Sequence, residues 1–590
     1  MADTLTGDRL KWEAKIRRGM TYKRDYGLST DWNKYREYLR GDFTSESAYG
    51  HFPYNITYGM AHTIIPNIYF RNPFVNVTPR FRPMKNPMES RIRQTNAKLV
   101  EAIDNWQIQE TMLKGTCKMM ALDAFLTGKG IGFVGYDSEF GFDPAQIKKE
   151  LGDSTGSQVS KKGKDVIEYN LGIKPGNPFC LRTMPDFIIV PFGTTSLHTA
   201  QWIDRVIFRP LADVKADTKY KNTAQLEGNK IELVLQDITG KSNYYKEMMN
   251  DEEWVELHEI RDRRSGNVMV FAFGYDKWLL DPMEDALQID GLPYIDLTFN
   301  DDPEYFWARG DAAIMEPQQL EMNESRLQAM LHRRLVLMKF LVDENLINDI
   351  ELDKLMKGKI GVAIKFKGDP KKAIEVLQTH IPPDLTGWVD IIRGDVREIM
   401  GVGRNRMGES EKSSRRSATE AAITQAGGDI RLDERRDAMA DCVTGIIRKY
   451  NQYIFKWWDS EHIIQVVGVD AAKYWIAFNP KDIKDEYNYS VDVESMTPLT
   501  KAMKRGEIIQ AIQAIGKHPT ANVNALIKLL MQQYSWADAM DIIPDAQEEQ
   551  GGEKAMTREQ FMQQQAGLRG NPANLKARTA SNVQTATENM

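Results

Sequence analysis

The residues best placed to do chemistry in this 590-residue chain are cations. Arg404, Arg406, Lys412, Arg415 and Arg416 fall in one short segment, GVGRNRMGESEKSSRRS at 401–417. Only Glu409 and Glu411 oppose them, a local balance of +3. Gly, Ser and Asn between the cations give the backbone many accessible states, so the segment reads as a mobile loop. Guanidinium and ammonium groups on such a loop can touch a phosphate backbone weakly and without sequence preference. An isolated loop of this composition is most often plain solvated surface. Its place between two helical runs is what gives it weight.

Other chemistry lacks an anchor. The eight histidines include no pair at i, i+4 spacing, and no HExxH, HxH or Cys/His cluster occurs. Gly130-Ile131-Gly132-Phe133-Val134-Gly135 matches GxGxxG. A dinucleotide fingerprint needs those glycines after a strand and before a helix, whereas here the order reads helix, glycines, strand. A phosphate-cradling GxxxxGK[ST] loop is missing from the chain, and Gly152-Asp153-Ser154-Thr155-Gly156, which matches GxSxG, falls in a polar loop rather than in the strand-to-helix context of a nucleophile elbow. Acidic runs such as Asp301-Asp302, Asp251-Glu252-Glu253 and Glu548-Glu549 are adjacent rather than spaced to converge, and read as solvated loops. Three Arg-Gly-Asp triplets, at 40–42, 309–311 and 393–395, read as turns or helix starts. Neither catalysis nor a cofactor is expected.

Composition narrows the class. Hydrophobic residues make up 42% and charged residues 27%, ordinary values for a soluble chain of several domains or one elaborate subunit. A net charge of −6 argues against a general polyanion binder, so any contact with nucleic acid must be local. Cys117, Cys180 and Cys442 are far apart and odd in number, which points to reduced thiols. The start, MADTLTGDRLKWEAK, lacks the apolar core of a signal peptide, and no apolar run approaches a membrane span.

The positioning elements follow from periodicity. Residues 1 to about 45 read as helical, ending near Gly41; a helix from about 52 stops between Pro66 and Pro73, and Phe74–Pro79 alternates as a strand. Residues 90–127 read as helix, which the glycine run at 128–135 turns into a strand, GFVGYD. Gly152–Lys164 is polar loop. From Cys180 onward FIIVPF, AQWIDRVIFRP, KIELVLQ, EWVELHEI and NVMVFAFGYDKWLL predict an antiparallel sheet. A helix is predicted over 311–347, kinked or started at Pro317, then an insert at 348–383 in which KGKIGVAIKFKGDP reads as a short strand or hairpin, then a shorter helix from Trp388 to Met400. After the basic loop, 417–458 predicts one helix of ~60 Å, with Leu432, Met439, Val443, Ile446, Tyr450, Ile454 and Trp458 as its apolar ladder. Gly427-Gly428 should bend it, and Trp457 and Trp458 read as packing residues rather than base-stacking ones. Strands over 460–496, two helices over 499–541 and a disordered, Gln-rich tail over 546–590 complete the pattern.

That order of elements resembles the portal (head-to-tail connector) proteins of tailed double-stranded DNA bacteriophages. The features carrying it are GLPYIDLTFNDDPEYFWARGD leading into the helix at 311, the small insert, and GVGRNRMGESEKSSRRSATEAAI running into the long helix. TPLTKAMKRGEIIQAI after the return strands completes the likeness, which spans about residues 30–540 and rests on organisation rather than a strict motif.

The resemblance implies an α+β subunit with this layout: an N-terminal wing of helices and antiparallel sheet at 1–300, a first stem helix at 301–347, a clip at 348–383 and a second stem helix at 384–400. A tunnel loop at 401–417, a long wing helix with return strands at 418–498, a helical crown at 499–545 and the tail at 546–590 would follow. It implies a homo-oligomeric ring of about twelve subunits at one capsid vertex, assembled in the host cytoplasm. Double-stranded DNA would pass through the ring without sequence preference, and a separate terminase would supply ATP hydrolysis. Terminase and later head-completion or tail-adaptor proteins would dock at the clip, where Lys357, Lys359, Lys365, Lys367 and Lys371 are the candidate contacts. Coat and scaffolding proteins would meet the wing, and no membrane is involved. Alternatives are another virion structural protein, such as a coat or minor head protein, or a metal-dependent nuclease or terminase-like enzyme.

Overall fold

The computed structural model describes residues 2–25, 31–43, 54–81, 87–137, 177–217, 219–228, 253–287, 290–336, 339–342, 348–357, 363, 365, 367, 374–377, 384–403, 418–458, 462–467, 473–478, 483–493 and 509. In chain order the helices are α1 (Ala2–Asp25), α2 (Trp32–Arg40), α3 (Ile56–Ile68), α4 (Pro87–Glu110), α5 (Leu113–Thr127), α6 (Leu211–Ala216), α7 (Asp311–Val336), α8 (Asp349–Met356), α9 (Asp384–Met400) and α10 (Ala418–Trp457). The strands are β1 (Phe74–Pro79), β2 (Gly130–Asp137), β3 (Asn177–Thr183), β4 (Ile188–Ile189), β5 (Trp202–Pro210), β6 (Trp254–Asp262) and β7 (Asn267–Ala272). They continue with β8 (Trp278–Glu284), β9 (Tyr294–Leu297), β10 (Lys339–Val342), β11 (Ile374–Leu377), β12 (His462–Val467), β13 (Lys473–Phe478) and β14 (Tyr487–Asp492). Helices and antiparallel strands are mixed along the chain, which makes the class α+β.

The chain divides into two compact units. The first comprises residues 1–69, 116–133 and 181–442. At its centre lies an antiparallel sheet of order β4-β5-β6-β7-β8. Strand alternation sends successive side chains of β5 and β6 to opposite faces. On one face Trp202, Val206, Ile260, Met269 and Phe271 pack with Ile16 and Met20 of α1. On the other, Val255, Leu257, Val270 and Ala272 pack with Leu211 and Val214 of α6. Helix α1 lies close because Gly19 has no side chain: a Cβ there would sit 2.5 Å from the Val190 carbonyl oxygen. Lys23, buried near the end of α1, donates from Nζ to the carbonyls of Pro185, Asp186 and Ile188 at 2.6, 2.7 and 3.1 Å. Those three bonds satisfy an ammonium group that burial alone would make costly.

The second unit comprises residues 70–115, 134–180 and 443–590. Strands β1 and β14 pair in antiparallel register from Phe74↔Asp492 to Pro79↔Tyr487. Helix α4 meets β1 with side chains that complete its backbone bonding. Asn105 accepts from Val75 N–H and donates to its carbonyl, both at 3.0 Å, and Glu101 accepts from Val77 N–H at 3.1 Å. A strand edge bonded in this way offers less backbone to another chain. Trp457 stacks on Tyr453 and meets Tyr136, as a packing residue should.

A buried polar pair also sits in this unit. Asp104 Oδ1 accepts from Asn451 Nδ2 at 2.7 Å, while Asp104 Oδ2 and Asn451 Oδ1 are buried without hydrogen bonds. Burial holds the Asp104 carboxyl well above its usual range, although the Asn451 bond favours the charged form. With its folded pKa above its unfolded one, Asp104 binds more protons in the native state, so stability falls as pH rises through the raised value. Asp104→Asn removes that penalty and adds a donor. At pH 7–8 the variant is expected to gain about 1–3 kcal/mol, with a flatter pH profile, in urea titrations at several pH values.

Several sequence expectations need correcting. The helix predicted to reach residue 347 ends at Val336, and Lys339–Val342 is strand β10, paired antiparallel with Ile374–Leu377. Arg333 and Arg334 fall in the last turn, where cations suit the helix dipole, and the apolar run KFLV has the character of a short strand. Helix 90–127 breaks at Met112, whose φ is +50°. The FIIVPF strand shrinks to Ile188–Ile189 behind a short 3-10 turn at Pro185–Phe187. The third Arg-Gly-Asp triplet, at 393–395, lies inside α9 rather than at a turn. The ladder from Leu432 to Trp458 is buried at every position. The KIELVLQ strand, the Gly152–Lys164 loop, the helices over 499–541 and the 546–590 tail lie outside the described residues.

Candidate nucleic-acid interface

The framework around the basic loop belongs to the first unit. Helices α7 and α9 run antiparallel. Trp388, near the start of α9, donates from Nε1 to Glu321 of α7 at 2.7 Å. The far end of α9 meets Arg431 of α10, one turn before Arg435, which holds the first residue of α7, Asp311. That last contact is buried, completely so at Asp311: Arg435 Nη2 donates to Asp311 Oδ1 at 2.9 Å, and Asn300 donates to the same oxygen at 3.0 Å. Burial pushes the Asp311 carboxyl above its ordinary value, while Arg435 and Asn300 pull it down.

The exit of α9 is clamped. Gly401 takes φ +67°, a left-handed conformation that glycine adopts without a Cβ penalty, and Val402 N–H returns to the Arg397 carbonyl at 3.0 Å. Arg431 Nη1 donates to the carbonyls of Glu398 and Ile399, both at 2.8 Å. These bonds satisfy two of the carbonyls that a helix end leaves without partners. A Cβ at 401 would come within 2.6 Å of the Arg431 side chain, so the turn and the arginine fit only with glycine present. The segment from 404 therefore starts from a fixed point, with α10 beginning at Ala418.

Arg404, Arg406, Lys412, Arg415 and Arg416 themselves lie outside the described residues, as do Lys359 and Lys371. Lys357, Lys365 and Lys367 are described and exposed. Lys357 pairs with Asp353 one turn earlier in α8, and the Lys365 backbone N–H donates to Glu351 Oε2 at 3.1 Å. Lys357 and Lys365 thus lie against acidic residues of α8.

One constellation escaped sequence reasoning. His258 on β6 lies between Asp204 on β5 and Glu256 on β6, with no exposure on any of the three. Its Nδ1 is 2.7 Å from Asp204 Oδ2, and its Nε2 is 3.2 Å from Glu256 Oε1, without the alignment of a hydrogen bond. Strand alternation was the available signal: Asp204 shares a face with Trp202 and Val206, and Glu256 and His258 share one with Ile260. Full burial beneath the α1 face keeps the cluster from any substrate, so its role is structural. Among the described residues, no group of three or more His, Cys, Asp or Glu side chains is arranged to hold a metal ion. Nor is any described helix long and apolar enough to cross a membrane.

Compared with known proteins, the chain matches no protein-family model and no curated protein.

Proposed function

We propose that the chain is the portal subunit of a tailed double-stranded DNA phage, a non-catalytic ring component through which DNA is packaged and ejected. The observation that carries the reading is the order of elements in the first unit. An antiparallel pair, α7 and α9, is interrupted by a segment in which the paired strands β10 and β11 flank α8. A clamped exit at Gly401 then opens the basic segment, which runs directly into the 40-residue helix α10. In this reading α7 and α9 are channel walls, the insert with Lys357, Lys365 and Lys367 is the docking collar for terminase and later adaptors, and 404–416 fringes the channel.

Charge fits a conduit. Each chain carries −6, so a ring of about twelve is strongly anionic and repels DNA except at local cations. Tight binding would oppose translocation, because each neutralised phosphate adds salt-dependent affinity. Replacing Arg404, Arg406, Lys412, Arg415 and Arg416 together by glutamine is expected to leave assembly intact and to cut packaged or retained DNA by at least about tenfold. In vitro packaging with purified proheads measures it. Normal packaging by the five-fold variant contradicts the assignment of the loop.

A further inference from the structure

Two exposed faces of the first unit are complementary in charge and both carry apolar side chains. On α1, Lys11, Lys15, Arg17 and Arg18 are exposed. Lys11 and Arg17 are paired within the helix, to Asp8 and Glu13, both at 2.9 Å. Among the described residues neither Lys15 nor Arg18 has a carboxylate partner, and Leu10 on the same helix is 54% exposed. The α7–α9 pair presents the opposite surface. Leu320, Trp388 and Ile391 are 47%, 49% and 50% exposed, close enough together for Trp388 to bond Glu321, the neighbour of Leu320. Glu324, Asp395 and Glu398 are exposed on the same two helices, and no described cation forms an ion pair with them.

We propose that the basic face of α1, centred on Lys15 and Arg18, docks on the acidic and apolar face of α7–α9 in a second copy of this chain. Both faces are open in one chain, so a single chain does not use one to cover the other. Exposed leucine, isoleucine and tryptophan at this density mark a surface that gains by being covered. Opposite charges around it set register and partner choice more than affinity. DNA is a poorer occupant for α1: it offers phosphates to Lys15 and Arg18 but nothing to the apolar groups across the contact. Because the two faces differ, the contact is heterologous, and repetition of one heterologous contact closes a ring when the rotation allows. The inference rests on the ring of the proposed function and names the surfaces that build it.

The test is charge exchange, read as the protomer concentration at which assembly is half complete at low salt. One variant is Lys15→Glu with Arg18→Glu. The second is Glu324→Lys with Asp395→Lys and Glu398→Lys. The third carries all five changes. Every position is exposed, and unchanged thermal unfolding of each variant verifies the fold. Each partial variant is expected to need at least about tenfold more protein to assemble, a loss of about 1.4 kcal/mol per contact. The five-fold exchange is expected to return within about threefold of wild type, an outcome that loss of DNA binding does not produce. Wild-type assembly that neither partial variant weakens, or a loss the exchange does not restore, overturns the docking and leaves the ring reading standing. A wild-type chain that stays monomeric at every concentration overturns both.

Discussion

Replacing His258 by leucine is expected to destabilise the first unit by about 3–5 kcal/mol, the cost of leaving a buried charge without its partner. Asp204, Glu256 and His258 are all fully buried on β5 and β6, the most extensively paired strands of the central sheet. Burial works against the imidazolium, yet the Asp204 carboxylate at 2.7 Å, helped by Glu256, holds the His258 pKa at about 10. Asp204 is itself pushed up, because burial outweighs the pull of His258 and Glu256 repels it. The two directions agree once the cluster is taken as two carboxylates sharing one cation: the imidazole stays charged and the surplus negative charge bears the desolvation.

The sign follows from the histidine's unfolded value near 6.5. Stability from His258 is fully present below about pH 6.5 and is lost as pH rises through about 10. Leucine removes that dependence together with the cation. Urea unfolding, followed by a probe in the first unit, reads the loss as a lower midpoint. Glu256→Gln separates the causes: it removes the surplus charge and is expected to be neutral or stabilising. A His258→Leu loss under about 1 kcal/mol would mean that Asp204 is already protonated and the cluster is an ordinary hydrogen-bonded core.

Arg435→Met is expected to cost a similar ~3–5 kcal/mol, for a reason tied to the site. Arg435 is the cation beside buried Asp311, and their contact fixes the start of α7 against α10. Without it the Asp311 carboxyl, already raised by burial, rises further. A carboxyl whose folded pKa exceeds its unfolded value contributes stability at low pH that is lost as pH rises through the folded value. The Arg435→Met deficit should therefore be larger at pH 8 than at pH 5. Replacing both partners, Asp311→Leu with Arg435→Met, leaves no buried charge and is expected to recover most of the loss. Equal deficits at both pH values, or a double variant as weak as the single one, would show that the arginine acts through packing alone.

Sequence pattern revealed elements wherever one periodicity ruled for long enough. The ladder from Leu432 to Trp458 is a clear case, since its members, three, four or seven residues apart, all go into the core. Strands β5 to β8 were legible by alternation, and the stop near Gly41 by the glycine itself, which takes a left-handed φ of +89°. What failed was decided by partners distant in sequence. LVLMKFLV suits a helix end as well as a strand, and only Ile374–Leu377, over thirty residues later, turns Lys339–Val342 into β10. The His258 cluster depends on register: Asp204 reaches His258 because β5 and β6 pair Asp204 with Ile260. Of the candidate site, the helix end at Met400 and the basic run after it were visible, but the Gly401 turn and the Arg431 clamp were not. An arginine thirty residues beyond a helix end carries no local sign that it caps that helix.

The central claim is that this chain is a ring-forming conduit, and the most direct measurement is electron microscopy of the purified full-length protein at low salt. The account expects closed particles of uniform diameter, with radial symmetry and a central hole. Monomers at all concentrations, or closed shells without an axial channel, would contradict it.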